Sequence, residues 1–156
     1  MAEAKAVETT TLLFEIFIKA TPERLWQAIT DGSITDKYYF GGKVQSDWKK
    51  GSSYEYVDAS GNAMVTGKVL ESDPPRKLVT TFIPLYEGSE NPPTSRVTYE
   101  ITPMGDACKL ALTHDELVAG DAINDQFRGG WANILSGLKT FVETGEPLVI
   151  TPPKAD

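Results

Sequence analysis

Side chains that could carry acid–base chemistry are few in this sequence. His114 is the single histidine, and Asp115 and Glu116 follow it directly, which places an imidazole beside two carboxylates in the chain. Successive residues of a β-strand point to opposite faces, so these three side chains do not converge on one reacting atom. We therefore interpret His114 as a polar residue whose ring is satisfied by hydrogen bonds. The alternative role, that of a general base, requires a convergent partner from elsewhere in the fold.

The sequence also lacks the common patterns that bind metals or cofactors. Cys108 is the single cysteine, which excludes an internal disulfide and a cysteine-based metal cluster, and one histidine excludes a histidine-rich metal site. A catalytic triad would have to use His114 alone. The sequence contains no G-x-S-x-G motif, no phosphate-binding glycine loop and no dinucleotide fingerprint. We expect neither a metal nor a cofactor.

The stretch from Asp121 to Glu143 is the longest element that the sequence predicts, an amphipathic helix. Its large apolar residues recur at intervals of three and four and form one broad stripe: Phe127, Trp131, Ile134, Leu135, Leu138, Phe141 and Val142. Gly145 is a natural left-handed stop. Gly129 and Gly130 each cost about 1 kcal/mol relative to alanine inside a helix. We expect a bend, tight packing or the close approach of a ligand there.

Before this helix, the sequence predicts one strand, two short helices and a run of strands. The strand covers residues 11–19, a helix follows the Thr21 cap and Pro22, and a second, short helix covers residues 33–39. Alternating patterns then predict six strands, at residues 44–47, 52–57, 63–71, 77–83, 96–102 and 108–114. Residues 84–95 contain three prolines and are predicted to be a long loop.

These elements in this order predict an α+β fold. An antiparallel sheet with one apolar face must cover that face, and the C-terminal helix is the only predicted element long enough to do so. We expect a curved sheet of six to seven strands wrapped around this helix. The predicted organisation is a single domain over residues 11–145, preceded by a disordered N-terminus (1–10) and followed by a tail (146–156).

The composition excludes several classes of function. The chain has 156 residues, a net charge of -7 and a pI near 4.7, and its basic residues are scattered singly apart from the pairs Lys49-Lys50 and Arg76-Lys77. It therefore lacks the basic patch that binds nucleic acid or an anionic membrane. No apolar run approaches the roughly 18–20 residues that span a bilayer. With one cysteine and no visible signal peptide, we expect a cytoplasmic protein.

Five motifs, in the expected order, resemble the START-like SRPBCC superfamily over most of the chain. They are A-T-P-E-R-L-W-Q-A-I-T-D at 20–31, G-K-V-L-E-S-D-P-P-R-K-L-V-T-T-F at 67–82, S-R-V-T-Y-E-I-T-P-M-G at 95–105, L-A-L-T-H at 110–114 and G-W-A-N-I-L-S-G-L-K-T-F-V-E-T-G at 130–145. The branch most similar to this sequence is the one related to the C-terminal domain of Aha-type activators of the heat-shock chaperone ATPase.

This resemblance implies a helix-grip fold, with two short helices after the first strand and a deep, mostly apolar cavity between the sheet and the last helix. The residues that we expect to face this cavity are Trp26, Tyr54, Tyr56, Phe82, Tyr99, His114, Phe127, Trp131 and Leu135. Each has an alternative role as an ordinary core residue. The number of aromatic residues around one helix, with tyrosine hydroxyls that need partners when buried, favours the cavity.

The superfamily includes binders of lipids, carriers of polyketide-type intermediates, cyclases, hydrolases and partners of other proteins, so three functions remain open. The first is binding or carriage of a hydrophobic small molecule in the cavity. The second is a cyclase- or hydrolase-like reaction there. The third is co-chaperone-like activation of the heat-shock chaperone ATPase. We favour the first, in a monomer or homodimer, with residues 84–95 and 38–40 as candidate lids.

Overall fold

The computed structural model describes residues 8–85 and 94–153, which contain seven strands and three helices. In chain order they are β1 (Thr9–Ile18), α1 (Pro22–Thr30), α2 (Gly32–Thr35), β2 (Lys43–Gln45), β3 (Ser53–Val57), β4 (Ala63–Asp73), β5 (Lys77–Pro84), β6 (Ser95–Met104), β7 (Ala107–Val118) and α3 (Ile123–Thr144). Most of the predicted N-terminal segment and of the predicted 84–95 loop lies outside the described residues.

The seven strands form one curved antiparallel sheet in the order β1-β7-β6-β5-β4-β3-β2. Strands β2 to β7 pair with their neighbours in sequence, and β1 pairs with the last strand, so α1 and α2 connect the two edges of the sheet. In β1, Ile16 and Ile18 face inward while Glu15 and Phe17 are exposed, as the alternation predicts. The α+β architecture predicted from the sequence is confirmed.

Short polar side chains set the limits of the first two helices. Thr21 accepts a hydrogen bond from the backbone N–H of Arg24 at 3.2 Å, so the predicted cap of α1 is confirmed. The backbone N–H of Asp31 donates to the carbonyl of Gln27 and so ends α1. The carboxylate of Asp31 accepts from the N–H of Ser33 at 2.9 Å. One residue therefore ends α1 and begins α2.

Helix α3 lies across the inner face of the sheet and covers β5, β6 and β7. The indole ring of Trp131 has its centroid 6.0 Å from Phe82, 6.4 Å from Tyr99 and 5.9 Å from His114, one residue from each of these strands. The helix ends at Gly145, which adopts φ 78° and donates to the carbonyl of Phe141, as predicted. The apolar stripe read from the sequence is the face that this helix buries.

Several element boundaries differ from those predicted, most of them by one or two residues. Strand β1 begins at Thr9, so Thr9 and Thr10 belong to the sheet and not to the N-terminal segment. Their partners are Val118 and Leu117, and this pairing also extends β7 beyond His114. Neither extension has a strong alternating pattern in the sequence. Each strand end forms through its pairing with the other, so local pattern alone does not predict it. Helix α2 stops at Thr35, before the predicted end at residue 39.

Several glycines allow close packing, among them Gly67 and Gly137, and neither of the two that the sequence singles out is one of them. A Cβ atom on Gly67 would overlap the carbonyl oxygen of Thr81 and lie 2.7 Å from the ring of Tyr54. A Cβ on Gly137 would lie 3.0 Å from that of Tyr38. At Gly129 and Gly130, no atom of another segment lies within 4 Å of such a Cβ. Of the three explanations expected at the glycine pair, tight packing against a neighbouring segment is therefore wrong.

Replacing Gly67 with alanine should lower the free energy of unfolding by about 1–3 kcal/mol, because the added methyl group must displace backbone in the sheet. Urea melts of the wild type and of Gly67→Ala measure the change. The matched control is Gly129→Ala in the exposed part of α3, which should raise stability by about 1 kcal/mol through helix propensity alone. Equal stability of the two variants would contradict this account.

Candidate functional site

A cavity of about 320 Å³ lies between α3, the segment that follows α2, and the strands β4 and β5. Its lining consists of Tyr39, Phe40, Met64, Phe82, Gln126, Phe127, Gly130, Trp131 and Ile134. No charged side chain is among these residues. The cavity reaches the surface beside Phe40 and Gln126, whose side chains are exposed. Its shape and lining are those of a site for an uncharged, mostly apolar group.

The helix supplies one wall of the cavity through residues at helical spacing. Phe127, Trp131 and Ile134 lie four and three positions apart and form part of the buried stripe of α3. Gln126 and Gly130 lie beside them, four positions apart, at the edge of this stripe. Because Gly130 has no side chain, the helix backbone itself forms that part of the wall.

The opposite wall depends on the segment after α2. The ring of Tyr39 stacks on that of Tyr56 with centroids 3.9 Å apart, and it meets Trp131 edge-on at 6.2 Å. Phe40 follows with φ 50° and Gly41 with φ 77°, so the chain reverses there through two left-handed residues. This reversal leaves Tyr39 buried and Phe40 exposed at the opening of the cavity.

The nine residues predicted to face a cavity occupy different places. Phe82, Phe127 and Trp131 line the cavity of 320 Å³. A deeper space of only about 10 Å³ is lined by Tyr54, Tyr56 and Tyr99, together with other core residues. His114 is buried behind Trp131. Trp26, half-buried on α1, and Leu135, buried on α3, line neither space. Ligand binding by these residues stays a prediction.

Six lining residues were not among those predicted: Tyr39, Phe40, Met64, Gln126, Gly130 and Ile134. Ile134 belongs to the apolar stripe, Gly130 to the unexplained glycine pair, and Tyr39 and Phe40 to a candidate lid, so each carried a signal. By strand alternation, Met64 should lie on the other face of the sheet from its buried neighbour Val65. The β3–β4 pairing, however, shifts register next to Met64. Gln126 carries no local signal.

The imidazole of His114 is the centre of a buried hydrogen-bonded chain. The indole N–H of Trp131 lies 2.9 Å from Nδ1, and the hydroxyl of Ser95 lies 2.7 Å from Nε2. An indole nitrogen can only donate, so Nδ1 accepts and the ring proton is on Nε2. His114 therefore donates to Ser95, whose hydroxyl donates onward to the carbonyl of Phe82 at 3.3 Å.

This direction of the chain is the reverse of what a nucleophilic serine needs. A serine nucleophile passes its proton to a free lone pair of histidine, whereas the Nε2 of His114 already carries a proton. Burial lowers the pKa of His114 to about 4, so the ring is neutral at pH 7. The interpretation of His114 as a satisfied polar residue agrees with this geometry.

The carboxylates next to His114 in sequence are turned away from it. Asp115 faces the outer side of the sheet, where its two oxygens accept from Arg96 at 2.9 and 2.6 Å. The Arg96 guanidinium holds the pKa of Asp115 below its usual range. Glu116 is exposed and has φ 60°, and its Oε1 lies 3.8 Å from Nη1 of Arg96. Strand alternation separates Asp115 from His114, and the left-handed backbone at Glu116 interrupts that alternation, so that Glu116 lies beside Arg96 on the side of Asp115.

Buried tyrosine hydroxyls in the core are also engaged. Tyr38 donates to the carbonyl of Ala28 at 2.7 Å, and Tyr54 donates to that of Thr81 at 2.6 Å. Burial raises the pKa of Tyr54 to about 12, and it raises the pKa of Tyr56 and Tyr99 as well. These hydroxyls stay neutral at physiological pH and act as hydrogen-bonding groups within the core.

Among residues 8–85 and 94–153, no group of three or more histidine, cysteine, aspartate or glutamate side chains is placed to hold a metal ion. Within the same residues, no helix has the length and apolar character needed to cross a membrane. Cys108 is a buried free thiol that donates to the carbonyl of Ala20 at 3.2 Å, and burial raises its pKa.

The stability of the folded protein should fall as the pH falls from about 6.5 to about 4. In this window the unfolded imidazole of His114 takes up a proton that the folded one, with a pKa of about 4, does not. The difference corresponds to about 3 kcal/mol at most. Urea melts of the wild type and of His114→Gln over this pH range measure the contribution as the difference between the two curves.

Carboxylates that do not interact with His114 contribute equally to both curves, so their effect cancels in that difference. An NMR titration of the wild-type imidazole provides an independent check that does not depend on the variant. A pKa near 6.5 in the folded protein would show that the ring is not held neutral by burial.

Solved structures with similar folds include an Aha1 dimer, an HSP90 activator and a protein in a biosynthetic locus. The Aha1 dimer from Colwellia psychrerythraea has a TM-score of 0.72 at 19% identity, covering 87% of this chain and 98% of that one. PFC0360w from Plasmodium falciparum, described as an HSP90 activator, has a TM-score of 0.70 at 24% identity, covering 88% and 97%. DynU16, a protein in the dynemicin biosynthetic locus, has a TM-score of 0.73 at 20% identity, covering 88% and 48%.

These likenesses confirm the helix-grip fold, with its curved sheet and long C-terminal helix. No curated protein sequence matches the chain significantly. The sequence model of the family described as "Activator of Hsp90 ATPase homolog 1-like protein" matches residues 19–143, well over half of the chain. The chain therefore belongs to this AHSA1 family, the Aha-type branch of the START-like SRPBCC superfamily that the five motifs resemble.

Proposed function

We propose that this protein binds a hydrophobic small molecule in the cavity between α3 and the sheet. The observation that carries the proposal is an open space of about 320 Å³ with an almost entirely apolar and aromatic lining. Small-molecule sites typically have volumes of about 300–1,000 Å³, so this cavity fits a compact ligand. The likeness to DynU16, a protein in a biosynthetic locus, is compatible with a small-molecule role.

A cyclase- or hydrolase-like reaction is less well supported than binding. Such chemistry needs at least two polar groups that converge on the substrate. Within the described residues, the cavity lining includes neither a carboxylate nor a histidine nor a cysteine. Ser95 and His114 are buried outside it and bonded to each other, with the ring proton on the wrong nitrogen for nucleophilic activation. Binding requires none of these groups.

Met64→Trp should abolish or strongly weaken ligand binding, because an indole ring at the start of β4 would occupy the cavity. Tryptophan is well tolerated in strands, so the fold should be kept. Titration with the neutral naphthalene dye Prodan, followed by its fluorescence, measures the affinity. We expect a loss of about tenfold or more, which corresponds to about 1.4 kcal/mol of binding free energy.

The matched control is Leu70→Trp, which introduces the same ring at an exposed position of the same strand, away from the cavity. This variant should bind Prodan within about twofold of the wild type, since its substitution touches no lining residue. Equal binding by both tryptophan variants would place the dye elsewhere and contradict the proposal. Native mass spectrometry of the purified wild type tests in parallel for a co-purified ligand.

Activation of the heat-shock chaperone ATPase is the second candidate. It is favoured by the family match and by the likeness to a protein described as an HSP90 activator. The expected result is a faster rate of ATP hydrolysis by the chaperone from the same organism when this protein is added. Met64→Trp should stimulate as the wild type does if activation does not use the cavity. An unchanged rate with the protein in excess would refute the activation.

We also propose that the protein works in the cytoplasm, as a monomer or homodimer. The unpaired, buried thiol of Cys108 fits a reducing compartment. The dimeric state of the similar Aha1 protein is compatible with a homodimer.

A further inference from the structure

Aromatic residues make up more than half of the residues that line the cavity. Tyr39, Phe40, Phe82, Phe127 and Trp131 account for five of its nine lining residues. Phe82 and Phe127 meet at right angles with centroids 5.6 Å apart, and Tyr39 and Trp131 meet in a similar way at 6.2 Å. Rings in perpendicular arrangements leave faces and edges that a further flat ring can match by offset stacking or edge contact. A flexible alkyl chain gains no such directional contacts.

The wall formed by α3 has a gap at Gly130. Alanine is favoured over glycine inside a helix, so a glycine there lowers helix stability. No neighbouring segment explains it, because a Cβ at this position would meet no other atom within 4 Å. The missing side chain instead leaves the helix backbone bare toward the cavity, of which Gly130 is a lining residue. Glycine is typical of sites where a ligand approaches the backbone closely.

The amide side chain of Gln126 stands at the opening next to this gap. Gln126 lies one helical turn before Gly130, is exposed and also lines the cavity. Its amide group can both donate and accept a hydrogen bond. The indole N–H of Trp131 is unavailable for a ligand, since it donates to His114. With no charged lining residue, the cavity offers no partner for an ionised ligand.

We infer that the cavity selects a neutral ligand with a flat, fused aromatic ring system, which lies against the α3 backbone at Gly130 and directs a hydroxyl or carbonyl group to Gln126. This inference rests on the proposed binding function and makes Gly130 the residue that determines the shape of the ligand. The volume of about 320 Å³ is near the lower end of the range for ligand sites, which suits a compact ring system better than a long chain.

The test compares three compounds with equal numbers of carbon atoms: naphthol (flat and neutral), decanol (flexible and neutral) and benzyltrimethylammonium (cationic). Calorimetric titration of the wild type should show that naphthol binds about tenfold more tightly than either of the others. Gly130→Ala should weaken naphthol binding by about tenfold or more, because a methyl group then projects into the space of the ring. Gly129→Ala, with its added methyl on the exposed side, should bind within about twofold of the wild type.

Both alanine variants favour the helix, so loss of folding does not account for a difference between them.

Gln126→Met keeps the length of the side chain but removes the amide. It should reduce the affinity for naphthol to the level of the affinity for naphthalene, and it should leave the binding of naphthalene itself unchanged. Equal binding by the two alanine variants, or tighter binding of decanol or benzyltrimethylammonium than of naphthol, overturns this inference and leaves the proposed function standing. Failure of all three compounds to bind the wild type contradicts both.

Discussion

A hydrogen bond from the indole of Trp131 to the imidazole of His114 joins the long helix to the sheet, and the rest of the structure depends on it. The bond lies in the core, where neither ring is significantly exposed, and it continues through Ser95 to the carbonyl of Phe82. It thereby connects α3 with β7, β6 and β5 in one chain of donors and acceptors. A buried polar chain of this kind stabilises a fold only when every member is satisfied, and each nitrogen and oxygen along it has a partner.

The same bond shapes the cavity. It orients the Trp131 ring so that its apolar surface, and not its N–H group, faces the open space. Beneath that ring, Tyr54, Tyr56 and Tyr99 fill the inner part of the space between helix and sheet almost completely. Above it, Gly130 has no side chain, and the left-handed turn at Phe40 leaves its ring exposed to solvent. The interior is therefore closed at depth and open near the beginning of α3.

This division bears on the choice between binding and catalysis. The side chains that could take part in acid–base or nucleophilic chemistry lie in the filled part of the interior. They are His114, Ser95 and the deeply buried tyrosines, which burial keeps neutral and hydrogen bonds engage. The open part has aromatic walls and one amide. Polar groups that the fold uses for its own cohesion are not free to act on a substrate, which is the physical reason for favouring a binding protein.

The sequence by itself determined the elements and most of the architecture. The period of two in β1 and the spacing of Phe127, Trp131 and Ile134 are local patterns, and so are the Thr21 cap and the Gly145 stop, because their causes lie within a few residues. Only the tertiary structure decided which lining residues surround an open space. Met64 and Gln126 come together through strand register and helix placement, and the tautomer of His114 is set by a tryptophan 17 positions away. Such contacts depend on packing between distant segments, and local spacing does not encode it.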